Sequence, residues 1–415
     1  MKKLTFLLFT AILIHATAFS QSCLPNGIDF YQQSHIDNFQ SNYPGCIQIE
    51  GDVVIGGSSI DNLGGLSILT GIDGNLDFGT NFGETTFNNL NGLENITEIG
   101  GSLVFFKNTN LINLSGLDSL TTIGGGLIFS ENSSMHDMTG LENLTNIGGD
   151  LMFIYSSVDS LTGLENLTSI GGDIVLSITG LKDASQLSNL ENLGGGITLY
   201  GNTDLYAMPD VFGISEIEFV SIDFNPNLNN LDGLINVTVI NGHLSISNSP
   251  SLDIQALSSL ISVGTSCQID NLVNETDFSD LANLKTIGDR LSISYCDGLT
   301  SLSGLDNIVA ESISDLRITF NPGLSTCEVQ SICDYLASPN GEIIIHDNAP
   351  GCNTPEEIES ACLVGINEIT PEQISIYPNP ATNEVFITLE NGQPVNEITI
   401  YNQLGQIVLK PLVIT

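Results

Sequence analysis

Cations are what this sequence lacks: 8 Lys plus Arg stand against 48 Asp plus Glu in 415 residues, a formal charge of -40. Nucleic acid and anionic membrane surfaces both demand a basic footprint, so neither is a partner on charge grounds. Charged residues make up only 13% of the chain, so the imbalance comes from missing Lys and Arg rather than from added acid. Tryptophan is absent, yet 42 glycines and a hydrophobic content of 41% describe a folded, turn-rich chain and not an acidic disordered one. Long apolar runs are missing too. The longest, residues 4–18, is broken by Thr5, Thr10, His15 and Thr17 and falls short of the roughly 20 residues a spanning helix needs. With Lys2 and Lys3 before it and Ala18 and Ser20 after it, this run reads as a secretory signal over residues 1–20, and no transmembrane helix is expected.

Catalytic and metal-binding signatures are equally scarce. The sequence contains no phosphate loop, nucleophile elbow, HExxH motif or DxDxDG calcium loop. Beyond the signal its histidines, His35, His136, His243 and His346, fall on separate elements without metal-ligand spacing. The expectation is a protein without cofactor or metal, and not an enzyme.

What is present is an internal repeat of 23 to 24 residues. The phrase GLENITEIGG begins at Gly92, GLDSLTTIGG at Gly116, GLENLTNIGG at Gly140 and GLENLTSIGG at Gly163, with weaker copies at Gln186, Gly233, Ala256 and Asp280 and a degenerate one near Pro209. Within one unit Leu111, Leu114, Leu117, Leu120 and Ile123 step by three or so, and Leu127 and Phe129 by two. Steps of two mark a strand with alternate side chains inward, and steps of three suit short bends that return the chain to the next layer. Each unit is therefore one turn of a solenoid, sharing its core with neighbours about 4.8 Å away. Paired glycines such as Gly100 and Gly101, or Gly148 and Gly149, are expected just before each strand, where the chain bends sharply and a Cβ would often clash. After the strand, Asn108, Asn132, Asn202, Asn225 and Asn321 are placed to build an internal amide ladder, with Cys296 in the same position. Cys267 falls at an inward strand position, and both of these cysteines read as buried thiols.

The opening CIQIEGDVVI at Cys46, the recurring NLTxIGG followed by an apolar strand, and the Cys-bearing segment from Leu324 resemble the receptor L domain. That is the leucine-rich-repeat-like right-handed β-helix of insulin and epidermal growth factor receptor ectodomains. The tail phrases IYPNPATNEVFITLE at Ile376 and EITIYNQLGQIV at Glu397 resemble the C-terminal sorting domain of type IX secretion cargo in Bacteroidetes, with Tyr377, Pro378, Asn379 and Pro380 as its motif. This resemblance implies passage across the outer membrane by the type IX machinery, removal of the tail, and attachment to the cell surface or release. The family continues with further strands and a basic end, so the sorting domain, a small β-sandwich, is expected to be partial.

The fold expected is thus mainly β, a right-handed β-helix or leucine-rich-repeat-like solenoid with a small sorting domain. Its layout is a signal peptide at 1–20, an N-terminal cap at 21–45, repeats at 46–323, a Cys-rich cap at 324–362, a linker at 363–371 and the sorting domain at 372–415. The Cys-rich cap reads as helix, strand, helix. Cys327, Cys333, Cys352 and Cys362 allow three pairings, with 327–352 and 333–362 preferred, and Cys23 with Cys46 would staple the other end.

Outward strand positions divide the solenoid. Val104, Phe106, Ile128, Met152, Ile154 and Val175 make an apolar half, and Tyr200, Asp223, His243, Asp270, Arg290, Ser292 and Arg317 a polar one. Contiguous exposed apolar surface marks contact sites, so the first group is the candidate face for an extracellular protein or glycan. The competing reading is ordinary β surface, or a face covered by the segment before Cys46. The polar half offers an alternative function: Asp223 and Asp270, two coils and roughly 10 Å apart, have the spacing of an inverting glycosidase.

Overall fold

Each copy of the repeat contributes one long and one short strand, and like strands of successive coils pair in parallel because every coil returns the chain to the same side. In the computed structural model, residues 22–79 and 86–364 are described, with four tail strands: Ile374–Tyr377, Phe386–Leu389, Ile400–Tyr401 and Ile407–Leu409. Residues 1–20, read as a signal, and Pro378, Asn379 and Pro380 of the sorting motif lie outside the described residues. The chain forms two units, residues 1–360 and 361–415.

In the first unit the long strands build a 14-stranded parallel sheet. Leu103, Leu127, Leu151 and Ile174 lie in one file across it, and Phe105, Phe129, Phe153 and Leu176 in another. Both files point inward and are fully buried. The rings of Phe78, Phe105, Phe129 and Phe153 stack nearly parallel with centroids 4.9, 4.9 and 4.8 Å apart, the strand spacing itself, so ring contact and backbone pairing reinforce one another. The leucines spaced by three, Leu111, Leu114, Leu117 and Leu120, fill the rest of the core.

The ladder position behaves as expected. Asn132 donates from Nδ2 to the Phe105 carbonyl of the previous coil at 2.9 Å, and its Oδ1 accepts the Asn108 N–H at 2.9 Å. Asn202, Asn225 and Asn321 repeat the pattern toward Leu176, Leu199 and Ile293. Ser156, Thr179 and Ser249 occupy the same buried place in other coils. These side chains satisfy backbone groups that the turn leaves unpaired inside the protein.

The paired glycines stand as expected, at a bend before the strand where a Cβ has no room. A Cβ at Gly148 would run into the Gly124 carbonyl oxygen of the coil below, while its φ stays outside the left-handed region. The chain bends there, and close stacking on the neighbouring coil is what excludes a side chain. The left-handed glycine is the one opening the four clear copies of the phrase, Gly92, Gly116, Gly140 and Gly163, as at φ +106° for Gly140.

Short strands form an eight-stranded sheet that ends at Asn192–Leu193 and a four-stranded one that starts at Glu216–Ile217. The interruption falls in the degenerate copy. Elsewhere three residues separate the inward residues of the short and long strands, as 148–150 do between Ile147 and Leu151, but only Glu218 and Phe219 lie between Ile217 and Val220. That corner is one residue short and carries Phe219 in place of glycine, so the short sheet loses register while the long one continues through Ile197–Tyr200 and Val220–Asp223.

The ladder reaches further at both ends than the repeat phrase does. Ser22–Cys23 pairs with Gln48–Ile49 and Ile28–Phe30 with Val53–Ile55, so a complete coil precedes the strand beginning at Cys46. The opening strands of the stack are thus Ser22–Cys23 in the short sheet and Ile28–Phe30 in the long one, a correction to the reading from CIQIEGDVVI, and residues 22–45 join the end of the stack instead of lying across its outer face. Helices Gln33–Asp37 and Phe39–Asn42 bury Ile36 and Phe39 there. At the other end helix Gln330–Ala337, strand Ile343–His346 and helix Pro355–Val364 follow in the expected order, and the strand pairs with Asp315–Thr319. Disulfides join Cys23 to Cys46 and Cys327 to Cys352, each with Cα atoms 5.7 Å apart. Cys333 and Cys362 are disulfide-bonded as well. Cys267 and Cys296 are free and buried, and burial pushes their thiols up to about 12 and about 11. In the second unit Ile374–Tyr377 pairs antiparallel with Phe386–Leu389, and Ile400–Tyr401 with Ile407–Leu409.

Candidate functional site

The outer face of the long sheet gathers the residues singled out in the sequence. Register places Val104, Ile128, Met152 and Val175 in one row across four adjacent strands, and Phe106, Ser130, Ile154 and Ser177 in the next. All six apolar members point outward and are half-buried. The first row is apolar throughout and Phe106 and Ile154 widen it in the second, alternating with Ser130 and Ser177, so the six make an apolar strip bordered by Lys107, whose ammonium lies 4.8 Å over the Phe106 ring and 3.5 Å from Glu131.

Farther along, the same rows turn polar. Tyr200 and Asp223 are register partners, and Asp223 in turn faces Ser247. The Asp223 carboxylate accepts hydrogen bonds from Ser247 Oγ at 2.8 Å and Asn248 Nδ2 at 2.9 Å. Asp270 continues that row on strand Cys267–Asp270. Burial, and then the charge of Asp223, raises its carboxyl above the usual range, with Arg317 opposing. Ser292 is almost wholly covered, in contrast to its reading as an outward surface residue, because Gln268 and Arg317 flank it in the row. Arg290 is exposed and pairs with Asp315 at 3.2 Å. His243 precedes its strand and stacks on Phe219 at 5.2 Å.

A third row escaped the sequence reading. From strand Leu103–Phe106 to strand Asp315–Thr319 the residue directly after each long strand is left-handed: Lys107, Glu131, Tyr155, Ile178, Gly201, Phe224, Asn248, Asn271, Tyr295 and Phe320 have φ between +48° and +67°. It forms a ledge along one margin of the sheet on which Tyr155, Phe224 and Tyr295 are 60%, 51% and 48% exposed. Tyr200 and Phe224 meet edge to face at 6.0 Å, and Tyr295 stacks on Phe320 at 4.8 Å. Between these two ring pairs lies a cleft of ≈ 360 Å³ lined by Asn248, Asp270, Asn271, Tyr295 and Asp297. The column immediately before the ladder asparagines carried the signal for this row, hidden by its mixed side chains.

Among the described residues no group of His, Cys, Asp and Glu is arranged to hold a metal ion, and no helix is long and apolar enough to cross a membrane. Residues 375–414 match the secretion system C-terminal sorting domain family. The chain therefore carries a type IX sorting domain and is exported, to the outer cell surface or beyond it. Among solved structures it is similar to a chain of the TLR13–ssRNA13 complex, at 15% identity and a TM-score of 0.30, over 77% of this chain and 61% of that one. The chain thus spans less than two thirds of that structure's length. No curated protein matches it.

Proposed function

We propose that this exported chain is a non-catalytic surface protein, an L-domain-like right-handed solenoid that binds an extracellular protein or glycan through the apolar strip. The observation that supports this reading is the register, which turns six side chains scattered over more than seventy residues of sequence into one surface. Strand positions facing water are ordinarily polar, as Thr198, Ser221 and Ser245 are farther along the same row. The double variant Phe106→Ser with Ile154→Ser, displayed on cells, is expected to lose adhesion to protein or glycan matrix while the purified protein keeps its far-UV spectrum and melting temperature. Adhesion equal to the unchanged protein overturns the reading.

A second reading, a glycan-processing enzyme using Asp223 and Asp270, is favoured by the raised Asp270 carboxyl. An inverting glycosidase needs one carboxyl held protonated beside an ionised one. Reducing ends released from polysaccharide by the purified protein, and lost in Asp223→Asn, would establish this reading over the first.

A further inference from the structure

The ledge poses a physical question. Left-handed backbone suits Gly and Asn, and a residue with a larger side chain there costs about 1 to 2 kcal/mol. Gly201, Asn248 and Asn271 show that these inexpensive residues meet the needs of the coil, and Lys107, Glu131 and Ile178 that it also accepts other side chains. Phe224 and Tyr295 stand in the same backbone conformation with about half of their surface in water. Neither local conformation nor core packing accounts for aromatic rings at these two positions.

Their arrangement shows what the rings are suited to hold. Phe224 and Tyr295 are three coils apart, about 14 Å at the strand spacing of about 4.8 Å, each braced by a second ring, Tyr200 and Phe320 respectively. In the two coils between them Asn271 Nδ2 donates to Asn248 Oδ1 at 3.1 Å, and the cleft is floored by amide and carboxylate groups. A sugar ring presents a C–H face, which packs on an aromatic face, and hydroxyl edges, which both donate and accept. Amides serve both roles and carboxylates accept. A chain of sugars running along the stack would meet ring, amides and carboxylates, then ring again. Anionic sugars would be repelled by Asp270, Asp297 and the overall charge of -40.

We propose that the ledge from Phe224 to Tyr295, with its intervening cleft, is a binding subsite for a neutral polysaccharide lying across the coils. It rests on the reading of this chain as a surface binder but lies apart from the apolar strip. The full-length purified protein is run in native gels containing neutral glucan, mannan or xylan, with polygalacturonate as the anionic comparison. Retardation by at least one neutral polysaccharide and none by polygalacturonate is expected. The double variant Phe224→Asn with Tyr295→Asn should bind roughly tenfold more weakly or worse while melting at the same or a higher temperature, because Asn suits the left-handed backbone. Phe106→Ser with Ile154→Ser should leave retardation unchanged whatever it does to adhesion, so the two sites succeed or fail separately. Absence of retardation by every neutral polysaccharide, or full retardation of the Asn variant, overturns the subsite.

Discussion

Asn132 serves two coils with one side chain, donating to Ser130 of its own turn and to Phe105 of the coil below, and accepting from the Asn108 N–H of that lower coil. Its recurrence in one column made it legible, because every coil that needs this bond uses a small polar group. The ledge was not legible for the opposite reason: its members share a backbone angle and not a chemistry. Asp210 shows a further effect invisible in composition. Burial first, then the charges of Asp183 and Asp232, raise its carboxyl from 3.8 to about 6. The folded state therefore holds this proton more tightly than the unfolded chain between about pH 4 and about pH 6, so stability falls as pH rises through that window and the penalty persists above it. Asp210→Asn should raise the stability at pH 7.5 by about 1 kcal/mol, after allowance for partial exposure, and the gain should vanish near pH 4. Urea melts at the two pH values measure it, and an equal gain at both contradicts the titration.

At the scale of the coil, the controlling quantity is the distance between layers. Gly148 sits against the Gly124 carbonyl of the neighbouring layer, as Gly171 sits against Gly148 and Gly194 against Gly171. Gly148→Ala must push two coils apart or twist the corner, and a loss of about 2 kcal/mol or more is expected. Hydrogen exchange should quicken first in strands Leu127–Ser130 and Leu151–Ile154. Unchanged protection there would mean that the layers have slack. Much at this scale could be read from sequence, including the strand positions, the inward leucines and the helix-strand-helix close. The coil at Ile28–Phe30 could not, since it has only a three-residue strand and no NLTxIGG phrase. The shortened corner at Glu218 and Phe219 was concealed in the same way, because a one-residue deletion looks like drift in a degenerate copy.

For the molecule as a whole the missing cations matter more than any single acid. Carboxylates repel one another over a surface with little positive charge to compensate, and the described ion pairs of Lys107 and Arg290 are exposed and weak. Raising sodium chloride from about 0.1 M to about 1 M shortens the screening length from about 10 Å to about 3 Å, so the melting temperature should climb by several degrees. A flat response would show that the acids are too dispersed to interact. Neither proposed site relies on charge attraction, so contact through the apolar strip and binding along the neutral-glycan ledge should both persist at high salt.

The interruption of the short sheet has a mechanical meaning. Inter-strand hydrogen bonds of a stacked coil run along the stack, so a pull between its ends loads successive joints in series, and the weakest joint sets the yield point. Between Asn192–Leu193 and Glu216–Ile217 one of the two ladders is broken while the long sheet and the buried Asn202 and Asn225 amides hold. Tension along the stack would meet one ladder fewer at the degenerate copy, as it would beyond Thr286–Ile287, where the short sheet ends.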